Sequence, residues 1–130
     1  LMRSEEKNFS IDNEQPIFFV NGLKFSVAIC KDLNLESVYK IPKNAGANLL
    51  VAPCNNMLKT TNAYIWQHKH NQIRQENCKN AKIALLSSDV TGKRSDYVAL
   101  GPTAYIDATG TIRHQIPSGS ADLLCATLRE

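Results

Sequence analysis

Apolar positions along this chain come in short runs broken by polar, Gly- or Pro-bearing stretches, the rhythm of strands alternating with helices. The first pair reads "IFFV-NG-LKFSVAIC", residues 17–30. Asn-Gly between two β-rich runs is a strong hairpin signal. In the second run Phe25, Val27 and Ile29 share one face while Ser26, Ala28 and Cys30 share the other. Both faces are apolar or small, as in a strand covered on both sides. "LNLESVYKIPKNAG", residues 33–46, predicts a helix with Asp32 or Asn34 as N-cap, an interruption at Pro42 and a stop at Gly46. A buried strand follows over 48–52, closed by Pro53, and then a loop over 54–59. Residues 62–79 contain neither Pro nor Gly and predict a long helix of polar character. The remainder predicts a strand over 81–88, a polar loop over 89–96, and two strands around a turn carrying Asp107 and Gly110. A last strand is expected over 122–128. The order ββ-α-β-α-β-ββ-β is that of a layered α/β protein.

Composition adjusts this picture little. The 130 residues are one domain's worth of chain, with 43% hydrophobic and 21% charged residues. A net charge of +3, with Lys and Arg scattered, lacks the basic stripe of a nucleic-acid binder. No apolar run approaches the roughly 20 residues that span a bilayer. The four cysteines, Cys30, Cys54, Cys78 and Cys125, form no CxxC pair and match no zinc spacing. Free thiols in a reducing, cytoplasmic compartment are therefore expected, with no metal. The opening "LMRSEEKNF" reads like the middle of a longer protein.

Candidate chemistry centres on Cys30. In α/β sheets reactive groups gather at the carboxyl ends of strands, where loops lead into helices. A thiol placed there meets backbone N–H groups and the positive end of a helix dipole, which favour thiolate. The loops beginning "PCNN" and "SSDVTG" leave neighbouring strands and would surround it. The plain alternative is a buried structural thiol closing a core strand. Tyr64 and Trp66 are read as core or interface anchors. His68 and His70 stand two apart on the long helix and do not share a face.

Four pieces in order, "KFSVAICKD", "AGANLLVAPCNN", "QENCKNAKIALLSS" and "ALGPTAYIDATGTI", resemble the second half of a nitrilase-superfamily carbon–nitrogen hydrolase. The resemblance runs from about Phe9 to Leu128. It implies an α-β-β-α sandwich of which this chain covers about the second half. Residues 1–130 then form a partial nitrilase-like domain, with residues 1–16 a polar segment open to disorder. It also implies a Glu-Lys-Cys triad whose nucleophile is Cys30, attacking a small amide or nitrile to give a thioester-type acyl-enzyme. The backbone N–H of Lys31 is implied as an oxyanion donor. Glu6 in "EEKNF", with Glu5 as the alternative, matches an auxiliary glutamate, and Asn55 and Asn56 match a substrate-pocket region. No cofactor is implied.

The sequence departs from the family pattern in several places. The triad's Lys and first Glu belong upstream of this segment, so the chain is expected to be inactive by itself. Lys31 stands where an aromatic or acidic residue is usual, and the Phe-Pro-Glu after the cysteine is missing. Glu36 lies one residue too close, and Arg74 is displaced by one in the helix pattern. These departures suit a non-catalytic domain kept for assembly or ligand binding. "WQHKHNQIRQEN" also resembles the helix of N-acyltransferases of the same superfamily. A half-sandwich leaves apolar surface uncovered, so the expected partners are a second copy or the missing N-terminal half, besides an amide substrate.

Overall fold

The computed structural model describes residues 15–128. Strands β1 (Phe18–Val20) and β2 (Leu23–Val27) form the expected hairpin, with Asn21 and Gly22 both at positive φ, as the turn requires. A 3₁₀ turn (Cys30–Asn34) leads into helix α1 (Ser37–Asn44), then β3 (Leu49–Cys54), β4 (Met57–Lys59) and the long helix α2 (Thr60–Ala81). Strands β5 (Ala84–Asp89), β6 (Thr91–Arg94), β7 (Tyr97–Leu100), β8 (Ala104–Ile106) and β9 (Ile112–Gln115) complete the chain. The main sheet runs β1-β2-β3-β5-β8-β9, and β4-β7-β6 form a smaller one. At its centre β2, β3 and β5 are parallel, with Val27 opposite Val51 and Val51 opposite Leu86.

One face of the main sheet carries Ala28, Leu50, Ala52, Leu85 and Ile106, buried against Val38 and Tyr39 of α1 and Cys78 and Ala81 of α2. Ser26 is also buried on this face, and its hydroxyl donates to the Pro16 carbonyl at 2.8 Å. The other face carries Phe18, Val20, Phe25, Val27, Val51, Leu86 and Tyr105, by the pairing register and strand alternation. None of these seven is buried. Among the described residues no helix is long and apolar enough to cross a membrane.

Several expectations are corrected. No strand forms over 122–128. Loop 89–96 is instead the hairpin of β6 and β7, paired from Thr91–Leu100 to Arg94–Tyr97 around a turn with Ser95 at φ 58. Its residues are polar because most of the hairpin is exposed. Loop 54–59 contains β4, and α2 starts at Thr60, two residues before the expected position. Pro42 lies inside α1 rather than interrupting it: it is the sixth of eight residues, and the N–H it lacks forgoes one bond to the Val38 carbonyl two residues before the helix ends. Asp32 and Asn34 sit in the 3₁₀ turn and do not cap α1; its N-cap is Glu36, with no side-chain cap. Tyr64, read as a core or interface anchor, is exposed, which rules out only the first of these readings. The polar segment 1–16, except its last two residues, lies outside the described residues, as do Glu5 and Glu6.

Candidate active site

Strand β2 ends at Val27, and the backbone then turns sharply. Cys30 takes φ 52, one of few side-chain-bearing residues in the left-handed region here. That conformation is disfavoured for a residue with a Cβ and persists where its surroundings over-determine it, characteristically at reactive sites. The surroundings do so here. Leu33, three residues on, is fully buried, and its carbonyl accepts from the Tyr39 hydroxyl at 2.7 Å and from Asn77 Nδ2 at 3.4 Å. Two helices thus hold the turn from beneath, each bond contributing on the order of 1 kcal/mol. Burial pushes the Tyr39 phenol far above its ordinary value, so it remains a donor at any working pH.

The thiol itself is half-buried and faces the carbonyl of Asn55, with Cys30 Sγ to Asn55 O at 3.9 Å. The structure therefore brings together Cys30 and the loop after β3, as the parallel register dictates. Asn55 Oδ1 accepts from the Met57 N–H at 3.2 Å. Asn56 is fastened to Asp89 at the end of β5: its backbone N–H donates to Asp89 Oδ1 at 3.0 Å, and its Nδ2 donates to Asp89 Oδ2. Asp89 also accepts from the Val90 N–H at 2.8 Å, while its own N–H donates to Thr103 Oγ1 at 2.9 Å. Lys31 is exposed in the 3₁₀ turn, whose opening amides lack acceptors within it. An open cleft of about 690 Å³ beside the loop is lined by Asn55, Met57, Arg94, Ser95, Asp96 and Tyr97.

Behind the loop, Cys54 is buried next to the Arg74 guanidinium, with Arg74 Nη2 to Cys54 Sγ at 3.7 Å. Arg74 Nη1 donates to the Pro102 carbonyl at 3.4 Å, and its Nε has no partner among the described residues. Burial pushes the Cys54 thiol up to about 11, with Arg74 pulling the other way. Cys78 is pushed up to about 12, by burial first and Asp107 second. Glu36 is not brought to the site; it pairs with Lys40 at 2.8 Å on the surface of α1. Among the described residues no group of His, Cys, Asp and Glu could hold a metal ion.

Asp89 and Arg74 are the residues that sequence reasoning missed as parts of this site. Asp89 lay in the quoted "SSDVTG", and its register opposite Cys54 in the parallel pair was the available signal.

The carbon–nitrogen hydrolase family model matches residues 3–130. Among curated proteins none matches the sequence. Similar solved structures include an amidase from Nesterenkonia sp. (16% identity, TM-score 0.65, 79% of this chain and 37% of that one). A carbon-nitrogen hydrolase from Helicobacter pylori G27 is similar at 14% identity and TM-score 0.72, covering 82% of this chain and 40% of that one. A glutamine-dependent NAD+ synthetase from Acinetobacter baumannii is similar at 21% identity and TM-score 0.72, covering 85% and 20%. The chain spans two fifths or less of the length of each of these proteins.

Proposed function

The chain belongs to the carbon–nitrogen hydrolase family, and from that premise we propose that it carries the nucleophile half of a thiol-dependent enzyme acting on a small amide-type substrate. The observation that carries this reading is Cys30, held at φ 52 just past the end of a parallel core strand with its thiol toward the β3 loop. In the proposed reaction the Cys30 sulfur attacks the carbonyl carbon of the amide. The C–N bond then breaks, the amine leaves with a proton, and a thioester remains for water to hydrolyse. The Lys31 N–H serves as an oxyanion donor, and Asn55 and Asn56 border the substrate. The general base and a lysine come from a part of the protein beyond this chain, with Glu6 as an auxiliary carboxylate. The chain by itself is then inactive, and the reaction uses no cofactor or metal. We further propose that the apolar sheet face is covered by that other half or by a second copy. Four free cysteines suit a reducing compartment, the cytoplasm.

The test is to incubate the complete gene product with a panel of short amides and examine Cys30 by mass spectrometry. A hydroxylamine-sensitive acyl adduct on Cys30, lost in Cys30→Ala, supports the reading. If no adduct forms and Cys30 resists iodoacetamide until the protein unfolds, the site is non-catalytic and the domain serves assembly or ligand binding. Transfer of the acyl group to an added amine in preference to water would assign acyl transfer.

A further inference from the structure

Cys30 has a second cysteine as its lateral neighbour. Val27 pairs with Val51, and the Ala28 N–H donates to the Val51 carbonyl at 2.9 Å, so the parallel register holds to the point where β2 ends. Cys30 lies three residues beyond Val27, in the turn that ends β2, and Cys54 closes β3 three residues beyond Val51. Where they pair, neighbouring strands lie about 4.8 Å apart, and a disulfide bridges Cα atoms about 4.4–6.8 Å apart. Two observations support the approach. The Cys30 thiol reaches Asn55, the residue next to Cys54. Cys30 is also close enough to act electrostatically on the Cys54 thiol.

We propose that Cys30 and Cys54 form a reversible redox pair, in which a peroxide oxidises Cys30 and Cys54 closes on it to a disulfide that switches the site off. This rests on the reading of Cys30 as a reactive thiol. In the first step the Cys30 thiolate attacks one peroxide oxygen. An S–O bond forms, the O–O bond breaks and hydroxide departs, leaving a sulfenic acid. In the second, the Cys54 sulfur attacks the Cys30 sulfur. The S–S bond forms, the S–O bond breaks, and the oxygen leaves as water with the Cys54 proton. A thiol reductant reverses the pair by exchange through a mixed disulfide.

The surroundings divide the two roles. Cys30 is half-buried and open to a solute, whereas Cys54 is buried behind the loop, where burial raises its pKa and shields it from solutes. The Arg74 guanidinium, 3.7 Å from Cys54 Sγ and without a carboxylate partner among the described residues, is placed to favour the thiolate as the S–S bond forms. Closure leaves no thiol for acylation and protects Cys30 from further oxidation to sulfinic acid, which a thiol reductant does not reverse.

The experiment treats the reduced complete gene product with hydrogen peroxide and maps its peptides without reduction, alongside Cys54→Ser and Cys54→Ala. The wild type is expected to yield a Cys30–Cys54 linked peptide and to regain iodoacetamide labelling at Cys30 after dithiothreitol. In both variants Cys30 is expected to accumulate sulfenic acid, trapped by dimedone, and then sulfinic acid that dithiothreitol does not reverse. If wild-type Cys30 labels with iodoacetamide and dimedone but never links to Cys54, the pair is overturned and the nucleophile stands. If Cys30 labels with neither reagent, the reactive-thiol reading itself falls and the pair with it. A link from Cys30 to Cys78 or Cys125 would equally overturn the pair.

Discussion

His70 shows how much a single side chain on α2 depends on its burial. Its ring packs on Trp66 with centroids 5.2 Å apart, and its Nε2 is buried with no hydrogen-bond partner among the described residues. Burial, reinforced by Arg74, lowers its pKa from 6.5 to about 4, with Asp89 opposing. The unfolded chain therefore binds the proton more readily than the folded one between pH 4 and pH 6.5. Folding stability from this residue is fully present above about pH 6.5 and is lost as pH falls toward 4, by up to about 3 kcal/mol. Urea denaturation at pH 7 and pH 4.5 should show this loss, and His70→Gln should reduce it. A pH dependence identical in the variant would assign the loss to other groups.

Helix α2 is the element whose character its sequence conceals. Its buried positions are Ala63, His70, Arg74, Asn77, Cys78 and Ala81, a stripe at helical spacing of which half is polar side chains. Asn77 reaches the Leu33 carbonyl and Arg74 reaches Cys54, while His70 packs on Trp66. The turn between β8 and β9 docks on the same helix. Gly110, at φ +81, donates to the Asp107 carbonyl at 2.9 Å, and its own carbonyl accepts from Gln75 Nε2 at 2.9 Å. A Cβ at Gly110 would stand 2.6 Å from the Gln75 carbonyl oxygen and 2.9 Å from Lys79 Cβ. Gly110→Ala is therefore expected to destabilise the protein by about 2 kcal/mol or more, from backbone overpacking together with positive-φ strain. A denaturation midpoint unchanged within error would show that the turn can leave the helix without loss.

At the scale of the molecule the two sheet faces are unequal. One is buried under α1 and α2, while the other leaves Phe18, Val20 and Val27 exposed by 46%, 53% and 38%. A continuous apolar face of this kind is rare on a protein that works as a monomer. The 130-residue chain expressed by itself is accordingly expected to self-associate in multi-angle light scattering. Phe18→Lys with Val27→Lys should shift it toward the monomer without changing its far-ultraviolet circular dichroism. A monodisperse monomer of the unsubstituted chain would show that this face needs no cover.

The sequence by itself determined the alternation of strands and helices, the Asn21-Gly22 hairpin, the Asp107–Gly110 turn and the family resemblance that residues 3–130 bear out. These are written in nearest neighbours and in short-period patterns, where steric preference and burial act on each residue directly. It misread 89–96 and 122–128, because exposed polar strands and largely exposed apolar coil carry the opposite of the usual signal. Only the tertiary structure decided that Asp89 fastens Asn56, that Arg74 lies against Cys54, and that Cys54 stands beside Cys30. Those contacts join residues 20 to 33 positions apart through strand register. Register is fixed by how whole faces pack, which no local run of residues contains.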